Sequence, residues 1–229
     1  MKRKIISCAI FEPYVNMIAI NHQVNFDVKY LEIKQHDDPK RLNDLLQHEI
    51  DQIQHVDEIL LLYGLCGNSI LRLKAKDIPV RILKVHDCAM VLSGSRNRYK
   101  ELFVHNLSQA YACASYDSLE SYNNFKMSLM YLRLVNEYGQ DNADYVLKTL
   151  YYPKSDKIFY FDFHLPNDAI QKLKYEKNKL KVVEGSLKML ENVLLNREHK
   201  DTECLRQGEM IDPIYDLDEV FVIKKESDL

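Results

Sequence analysis

Residues 57–64, DEILLLYG, form an apolar run that opens on two acidic residues and stops at a glycine. A short apolar run without alternation is typical of a strand covered on both faces, as in a parallel sheet. Three further segments of the first half have strand character: residues 4–11 (KIISCAIF), 26–33 (FDVKYLEI) and 79–85 (PVRILKV). Asp38 and Pro39 predict a helix start ahead of residues 57–64. The pattern βαβαβαβ predicts an α/β fold, with an open, mainly parallel sheet and helices on both faces.

The second half of the chain repeats the α/β pattern with longer helices. The predicted elements are a strand at 109–116, a helix at 119–138 that Gly139 ends, a shorter helix to 151, a strand at 157–163, a helix at 184–195 and a strand at 219–223. They fit either a second α/β lobe or extra strands on the first sheet. We expect a Rossmann-like half at 1–108 and a second α/β half at 109–229, packed together as one compact unit.

The composition is that of a globular protein with little net charge. Apolar residues make up 46% and charged residues 28%, and 31 basic against 34 acidic residues give a net charge of −3. Binding to nucleic acid phosphates needs a clustered basic surface. The most basic stretch, residues 174–181 (KYEKNKLK), is typical of a solvated helix face instead. The sequence therefore predicts no nucleic acid partner.

The first eleven residues, MKRKIISCAIF, imitate a secretory signal with a basic tip. Glu12 and Pro13 break the apolar run before a signal could form, so we interpret it as a first strand. No stretch approaches the ~20 apolar residues of a membrane span. We expect a cytoplasmic protein without a membrane partner, whose five cysteines are buried thiols, metal ligands or reactive thiols rather than a disulfide framework.

Three cysteines lie where predicted strands end. Cys8 is near the end of the first strand, and Cys66 and Cys88 follow the third and fourth. If these strands are neighbours, the thiols can converge on one ion, with His86 beside them. Thiolates and imidazole suit zinc or iron. The alternative is that each cysteine packs as a small apolar residue, as we expect for Cys113 and Cys204.

Glycine turns accompany these cysteines. Gly64 and Gly67 flank Cys66 in a turn whose backbone amides could approach a ligand. Cys88 opens a predicted helix, whose dipole would favour its thiolate. Gly94, Ser95 and Arg96 form a turn suited to an anionic ligand. The alternative for that turn is a Ser95 helix cap beside surface arginines.

Acid–base chemistry has its own candidates in the same region. His86 and Asp87 could act as a catalytic pair, although adjacent residues of an extended strand point to opposite faces. Glu12, after the first strand, is a further candidate acid. Each of the three could equally be a structural or surface residue.

The motifs YGLCGNS (residues 63–69) and HDCAMVLSGSRNRY (residues 86–99), with a cysteine in the first strand, resemble an uncharacterised prokaryotic family, domain of unknown function 1638 (DUF1638). The resemblance covers roughly residues 4–100, and residues 182–195 are compatible with a second family helix. Its motif positions are Cys8, Tyr63, Gly64, Cys66, Gly67, Asn68, His86, Asp87, Cys88, Gly94, Ser95, Arg96 and Tyr99. The resemblance adds Tyr63 and Asn68 to the expected ligand-binding residues.

The resemblance implies a context rather than an activity. Family genes often lie near corrinoid-dependent methyl-transfer systems, which implies one-carbon chemistry, a corrinoid cofactor or a methyl-transfer partner protein. The chain departs from the family pattern after residue 108. The family's tyrosine-rich strand ends in threonine, glycine and tryptophan, whereas residues 111–120 read YACASYDSLE and the chain has no tryptophan.

The sequence thus predicts a protein that binds a metal ion or metal-containing cofactor through Cys8, Cys66 and Cys88, with His86 as fourth ligand or neighbour. An open coordination position would accept a small anionic or thiol ligand held by Ser95 and Arg96. One alternative is a metal-free enzyme with Cys88 as nucleophile and His86 as base. Another is a non-catalytic protein that delivers a cofactor.

Overall fold

The computed structural model describes residues 1–104, 110–117, 129–151, 158–165, 180–197, 200–214, 216, 218–225 and 227. By their contacts, the residues group into two units, Met1–Lys100 with Ser186–Leu229, and Glu101–Gly185. The predicted halves, 1–108 and 109–229, stay a prediction. No helix among the described residues is long and apolar enough to cross a membrane.

The first unit contains a five-stranded sheet. Its strands are β1 (Arg3–Cys8), β2 (Val28–Leu31), β3 (Glu58–Leu62), β4 (Val80–Leu83) and, from the end of the chain, β9 (Thr202–Leu205). The order is β2-β1-β3-β4-β9, with the first four strands parallel and β9 antiparallel to β4. All five residues of β3 are buried, as its unbroken apolar run predicts. The predicted α/β fold with a mainly parallel sheet is confirmed.

Helices connect these strands on both sides of the sheet. Short 3₁₀ turns at Ala9–Phe11 and Ile33–Asp37 precede α1 (Glu12–His22) and α2 (Pro39–Gln52). Because β1 lies between β2 and β3, right-handed crossovers place α1 and α2 on opposite faces. The remaining helices of this unit are α3 (Cys88–Leu92), α4 (Arg96–Phe103, which runs into the second unit) and α7 (Lys188–Leu194).

The predicted start of α2 is confirmed in detail. Asp38 is its N-cap, and the carboxylate accepts a hydrogen bond from the Arg41 backbone N–H at 3.1 Å. Pro39 occupies the first turn, where a missing N–H costs nothing. Leu42, Leu46 and Ile50 form the buried stripe of the helix.

The helix expected between β3 and β4 is absent from this fully described segment. Residues 66–72 form turns instead, and four of them have left-handed backbone: Cys66, Gly67, Asn68 and Arg72. A right-handed helix cannot continue through such residues. The connection is therefore a compact loop at the carboxyl end of β3.

The second unit has its own four-stranded sheet. Its strands are β5 (Tyr111–Cys113), β6 (Tyr116–Asp117), β7 (Ile158–Asp162) and β8 (Leu180–Glu184), in the order β6-β5-β7-β8. β7 is parallel to β5 and β8, whereas β6 is antiparallel to β5. The helices α5 (Leu129–Tyr138) and α6 (Gln140–Val146) lead into a π-helical turn at Leu147–Tyr151.

The structure also decides how the late segments are used. The predicted stop at Gly139 is confirmed by its φ of 80° after the last residue of α5. The first part of the predicted 119–138 helix and most of residues 174–181 lie outside the described residues, although Leu180 and Lys181 begin β8 rather than a helix. The second half could form either its own lobe or extra strands on the first sheet. It has its own sheet of β5–β8, and β9, a strand that the sequence did not predict, extends the first sheet. A hairpin of β10 (Glu209–Pro213) and β11 (Phe221–Lys225) completes the first unit.

Candidate functional site

The carboxyl ends of β2, β1, β3 and β4 lie side by side in the first sheet. Cys8 is the last residue of β1 and is in register with Leu31, the last residue of β2. Beyond β3 and β4 the two chain segments stay together, since the Leu65 and Cys66 backbone N–H groups donate to the Val85 and His86 carbonyls at 3.0 and 2.9 Å. This strand order is the one that convergence of the three cysteines requires.

Gly64 allows the close approach of these two segments. A Cβ atom at this position would lie 2.5 Å from the Val85 carbonyl oxygen, a distance that side chains do not tolerate. After Gly64 the chain enters left-handed backbone at Cys66 (φ 43°), Gly67 and Asn68. Such a conformation is costly for a cysteine, and strained residues concentrate at functional sites.

Cys8, Cys66 and Cys88 meet at this edge, and we call them the thiol cluster. The Cys88 side chain lies beside those of Cys66 and Cys8, close enough for both thiols to raise its pKa. Cys8 and Cys88 are buried, with 1% and 6% of their surfaces exposed, whereas Cys66 is partly exposed. The cluster therefore consists of two interior thiols and one that reaches solvent.

The two buried thiols of the cluster differ in pKa. The pKa of Cys88 is raised well above its ordinary value, because its interaction with the Cys66 and Cys8 thiols and its burial all favour the protonated form. The pKa of Cys8 is lowered, first by the Cys88 thiol, and also by the Ile10 backbone N–H and the Tyr63 hydroxyl, against the opposing effect of burial. Cys8 is therefore the preferred thiolate. Cys88 opens α3, as the sequence predicts, but its surroundings raise its pKa rather than lower it.

The structure adds His36, which sequence reasoning missed. His36 lies in the 3₁₀ turn after β2, and its Nε2 is 3.5 Å from the Cys8 sulfur. Burial lowers the pKa of His36 to about 4, so its imidazole is neutral at neutral pH. The signal was available, because β2 borders β1 and His36 follows β2 as Cys66 follows β3. The sequence-based hypothesis took its ligands only from strand ends that carry a cysteine.

Tyr63, the residue after β3, lies next to the thiol cluster. Its ring stacks on His36 with a centroid separation of 5.7 Å and an interplanar angle of 19°. Its hydroxyl is near enough to Cys8 to favour that thiolate, yet it is buried without a well-formed hydrogen bond. The pKa of Tyr63 is raised by burial and by the surrounding thiols, so the hydroxyl keeps its proton. The site thus holds a donor that a bound ligand could use.

The structure places His86 and Asp87 differently from the catalytic pair that the sequence suggested. His86 Nε2 lies 2.9 Å from the backbone carbonyl oxygen of Asp216. Asp87 is the N-cap of α3, where it accepts hydrogen bonds from the Met90 N–H at 3.0 Å and the Tyr99 hydroxyl at 3.1 Å. Burial raises the pKa of Asp87 in spite of these bonds. In this arrangement Asp87 fixes the position of Cys88, the next residue.

The Gly94-Ser95-Arg96 turn has a similar structural use. Ser95 caps α4 by accepting the Arg98 N–H at 3.2 Å, as the alternative interpretation held. The Arg96 guanidinium donates to the Lys84 carbonyl at 2.8 Å and pairs with Asp201 at 3.3 Å, and it also bonds the Asp218 carbonyl. The turn also lines a surface cavity of about 320 Å³. These contacts make Arg96 a tether between segments.

The other candidates lie on other elements of the fold. Glu12 is exposed in the first turn of α1. Cys113 is buried in β5 of the second unit, and Cys204 is partly exposed in β9 opposite Arg81. All five cysteines are free thiols. Cys204 therefore serves as a matched control for Cys66.

The donor set can be compared with what a metal ion needs. Three thiols and a neutral imidazole match the chemistry of zinc. Across the part of the chain that the structure describes, however, no group of three or more histidine, cysteine, aspartate or glutamate side chains is arranged to hold an ion.

The comparisons with known proteins identify the family. The model of the family described as "Protein of unknown function (DUF1638)" matches residues 30–194, well over half of the chain. The matched range includes His36, Cys66 and Cys88, and it begins after Cys8. No curated protein and no solved structure matches the chain. The chain therefore belongs to the DUF1638 family.

Proposed function

We propose that the thiol cluster binds a soft metal ion or a metal-containing cofactor, with Cys8, Cys66 and Cys88 as thiolate ligands. One observation carries this proposal: cysteines from three separate segments lie together at the carboxyl ends of β1, β3 and β4, with Cys88 beside both of the others. Thiolates are the preferred ligands of zinc, of copper(I) and of iron in clusters.

Metal binding must then displace the thiol protons. Without a metal, Cys88 lies beside Cys66 and Cys8 and keeps its proton. A bound ion would form metal–sulfur bonds and release the thiol protons. The described side chains do not form a ready-made ion site, so binding requires them to move. We expect Cys66 to move most, because it lies on a partly exposed turn.

His36 is the better candidate for a fourth ligand than His86. In a tetrahedral zinc site, bonds of about 2.3 Å to sulfur and about 2.05 Å to nitrogen place the two ligand atoms about 3.6 Å apart. His36 Nε2 is 3.5 Å from the Cys8 sulfur, and the ring is neutral and stacked on Tyr63. His86 is instead engaged with the Asp216 carbonyl.

The test is the metal content of untagged protein purified without oxygen, measured by plasma mass spectrometry together with an absorption spectrum. We expect about one equivalent of a transition metal in the wild type, little in Cys8→Ser or Cys66→Ser, and full content in Cys204→Ser. Equal losses in Cys66→Ser and Cys204→Ser would contradict the proposal. So would wild-type protein that is metal-free and takes up no zinc or iron(II) under reducing conditions.

The corrinoid link implied by the family resemblance is tested on the same material. Imidazole is a suitable ligand for a cobalt centre. We expect hydroxocobalamin, added to metal-free protein, to change its visible spectrum in the wild type and not in His36→Ala. An unchanged wild-type spectrum would leave a simple metal ion as the proposed ligand.

A second candidate function, a metal-free thiol enzyme, is favoured by the lowered pKa of Cys8. This observation moves the nucleophile from Cys88 to Cys8, with His36 rather than His86 beside it. Alkylation of metal-free protein over a pH series would test it. Modification of Cys8 that persists below the ordinary thiol range supports the nucleophile, and modification that follows ordinary thiol titration contradicts it.

A further inference from the structure

We propose that Cys66 and Cys88 form a reversible disulfide by exchange with a low-molecular-weight disulfide such as oxidised glutathione. The Cys66 backbone N–H bonds the His86 carbonyl at 2.9 Å, which brings the partly exposed Cys66 beside the buried Cys88, the arrangement of a reacting and a resolving cysteine. This inference concerns the metal-free protein and does not depend on metal binding.

Cys66 is the thiol that meets the external disulfide. It is partly exposed, whereas Cys8 and Cys88 expose only 1% and 6% of their surfaces. It also lies on the turn of left-handed backbone that follows Gly64 after β3. A reagent from solvent therefore reaches Cys66 before the other two.

Cys88 is held in place to resolve the mixed disulfide. The Cys66 N–H bonds the His86 carbonyl at 2.9 Å, and Asp87 anchors the start of α3 through its bond to the Met90 N–H. These contacts fix the backbone on both sides of the two sulfur atoms. Disulfide formation then requires the two side chains to move until their sulfur atoms are about 2.05 Å apart.

The chemistry balances without another reactant. The Cys66 thiolate attacks the external disulfide RSSR, which gives a Cys66–SR mixed disulfide and releases one thiol after protonation. The Cys88 sulfur then attacks the Cys66 sulfur, the Cys66–SR bond breaks, and the proton of Cys88 ends on the second released thiol. In sum, two cysteine thiols and one RSSR give one protein disulfide and two RSH.

The same contacts leave one competing pairing. Cys88 also lies beside Cys8, so a Cys8–Cys88 disulfide is the alternative product. Cys8 ends a central strand of the sheet and is almost fully buried, which keeps it from a reagent as large as oxidised glutathione. Cys66–Cys88 is therefore the expected pair.

The experiment uses full-length protein made metal-free with a chelator under reducing conditions and then incubated with oxidised glutathione. After acid quenching and alkylation, tryptic cleavage separates Cys66 (peptide 42–72) from Cys88 (peptide 85–96) and from Cys8 (peptide 5–29). We expect peptides 42–72 and 85–96 to be linked, and reduced glutathione to restore them. In Cys88→Ser the reaction should stop at a glutathione adduct on Cys66.

Cys204→Ser is the control, since Cys204 is partly exposed but surrounded by Arg81, Arg206 and Glu58. It should form the Cys66–Cys88 link as the wild type does. A Cys8–Cys88 link, or an adduct on wild-type Cys66 that never closes, would overturn the inference. Because metal content is measured on reduced protein and the disulfide on metal-free protein, failure of one proposal is distinguishable from failure of the other.

Discussion

At one end of β1, β3 and β4 lie three paired charges, and at the other end lie three thiols. Glu58, the first residue of β3, pairs with Arg3 at 2.7 Å and with Arg81 at 2.8 Å. Arg3 also donates to the Val193 carbonyl of α7 at 3.1 Å. These side chains are largely buried, and each charge meets an opposite charge.

The thiol end of the same strands is built differently. It combines three neighbouring thiols, a buried Tyr63 hydroxyl without a well-formed hydrogen bond, and left-handed backbone at Cys66. Strain and incompletely paired polar groups are tolerated where a protein binds or reacts. The comparison indicates that the ion pairs of the charged end stabilise the sheet. The thiol end is where we propose that a ligand binds.

The largest effect is expected at the charged end. Glu58→Gln removes the charge between Arg3 and Arg81, and loss of one partner of a buried ion pair costs about 3–5 kcal/mol. We expect the free energy of unfolding, measured in urea, to fall by about 3 kcal/mol. The reaction rate of Cys66 with a thiol reagent should not change.

Glu32→Gln is the control, because its pair with Lys34 is exposed. It should change the free energy of unfolding by less than about 0.5 kcal/mol. If the two variants were equally stable, the charged end would not have the stabilising role assigned to it.

Gly64→Ala breaks the thiol end by sterics alone. Its Cβ would press on the Val85 carbonyl, and overpacking of this kind costs about 2 kcal/mol. The clash should separate Cys66 from Cys88 and slow their disulfide formation, which mass spectrometry measures. Gly139→Ala meets no atom within 4 Å and should cost only the strain of its glycine-type backbone (φ 80°, ψ 162°), about 1–3 kcal/mol, without any effect on the disulfide. Fast disulfide formation in Gly64→Ala would argue against the close approach.

His36 makes the thiol end sensitive to acid. Its pKa is about 4 in the folded protein, against an ordinary value of 6.5, so the unfolded chain binds more protons between these values. The metal-free protein should therefore have the full contribution of His36 above pH 6.5 and lose on the order of 2 kcal/mol as the pH falls to about 4. Urea unfolding at several pH values measures this loss.

His36→Gln should flatten that acid limb, since glutamine does not titrate. His48→Gln, which replaces an exposed histidine of α2, should retain it. An unchanged limb in His36→Gln would show that other groups cause the acid sensitivity.

The smallest effect separates two buried tyrosines. Tyr63→Phe removes a hydroxyl without a well-formed hydrogen bond and should change the free energy of unfolding by less than about 0.5 kcal/mol. Tyr99→Phe removes the bond to Asp87 and should cost about 1 kcal/mol. Tyr63→Phe should also raise the pKa of Cys8, which the pH dependence of alkylation reports. A larger stability loss in Tyr63→Phe than in Tyr99→Phe would reverse the comparison.

Much of the scaffold was readable from the sequence. The apolar run of β3, the Asp38 cap of α2 and the stop at Gly139 are confirmed. Each depends on residues a few positions apart, because propensity, capping and turn chemistry act locally. The neighbouring positions of β1, β3 and β4 were a condition of the cysteine hypothesis, and the structure meets that condition.

Other features escaped prediction because they join distant residues. β9 pairs with β4 across more than a hundred residues, and no local pattern in residues 202–205 announces that pairing. Likewise, a turn with left-handed backbone takes the place of the expected helix at residues 66–72, next to the close packing of Gly64 against Val85.

The sequence by itself determined the α/β sheet and the position of each of three cysteines at or just after the end of a strand. Only the tertiary structure decided that His36, and not His86, lies beside Cys8, and that Cys8 rather than Cys88 favours the thiolate. The physical reason is that strand formation depends on the local apolar pattern. The state of a shared proton depends on distances between side chains that are far apart in the chain.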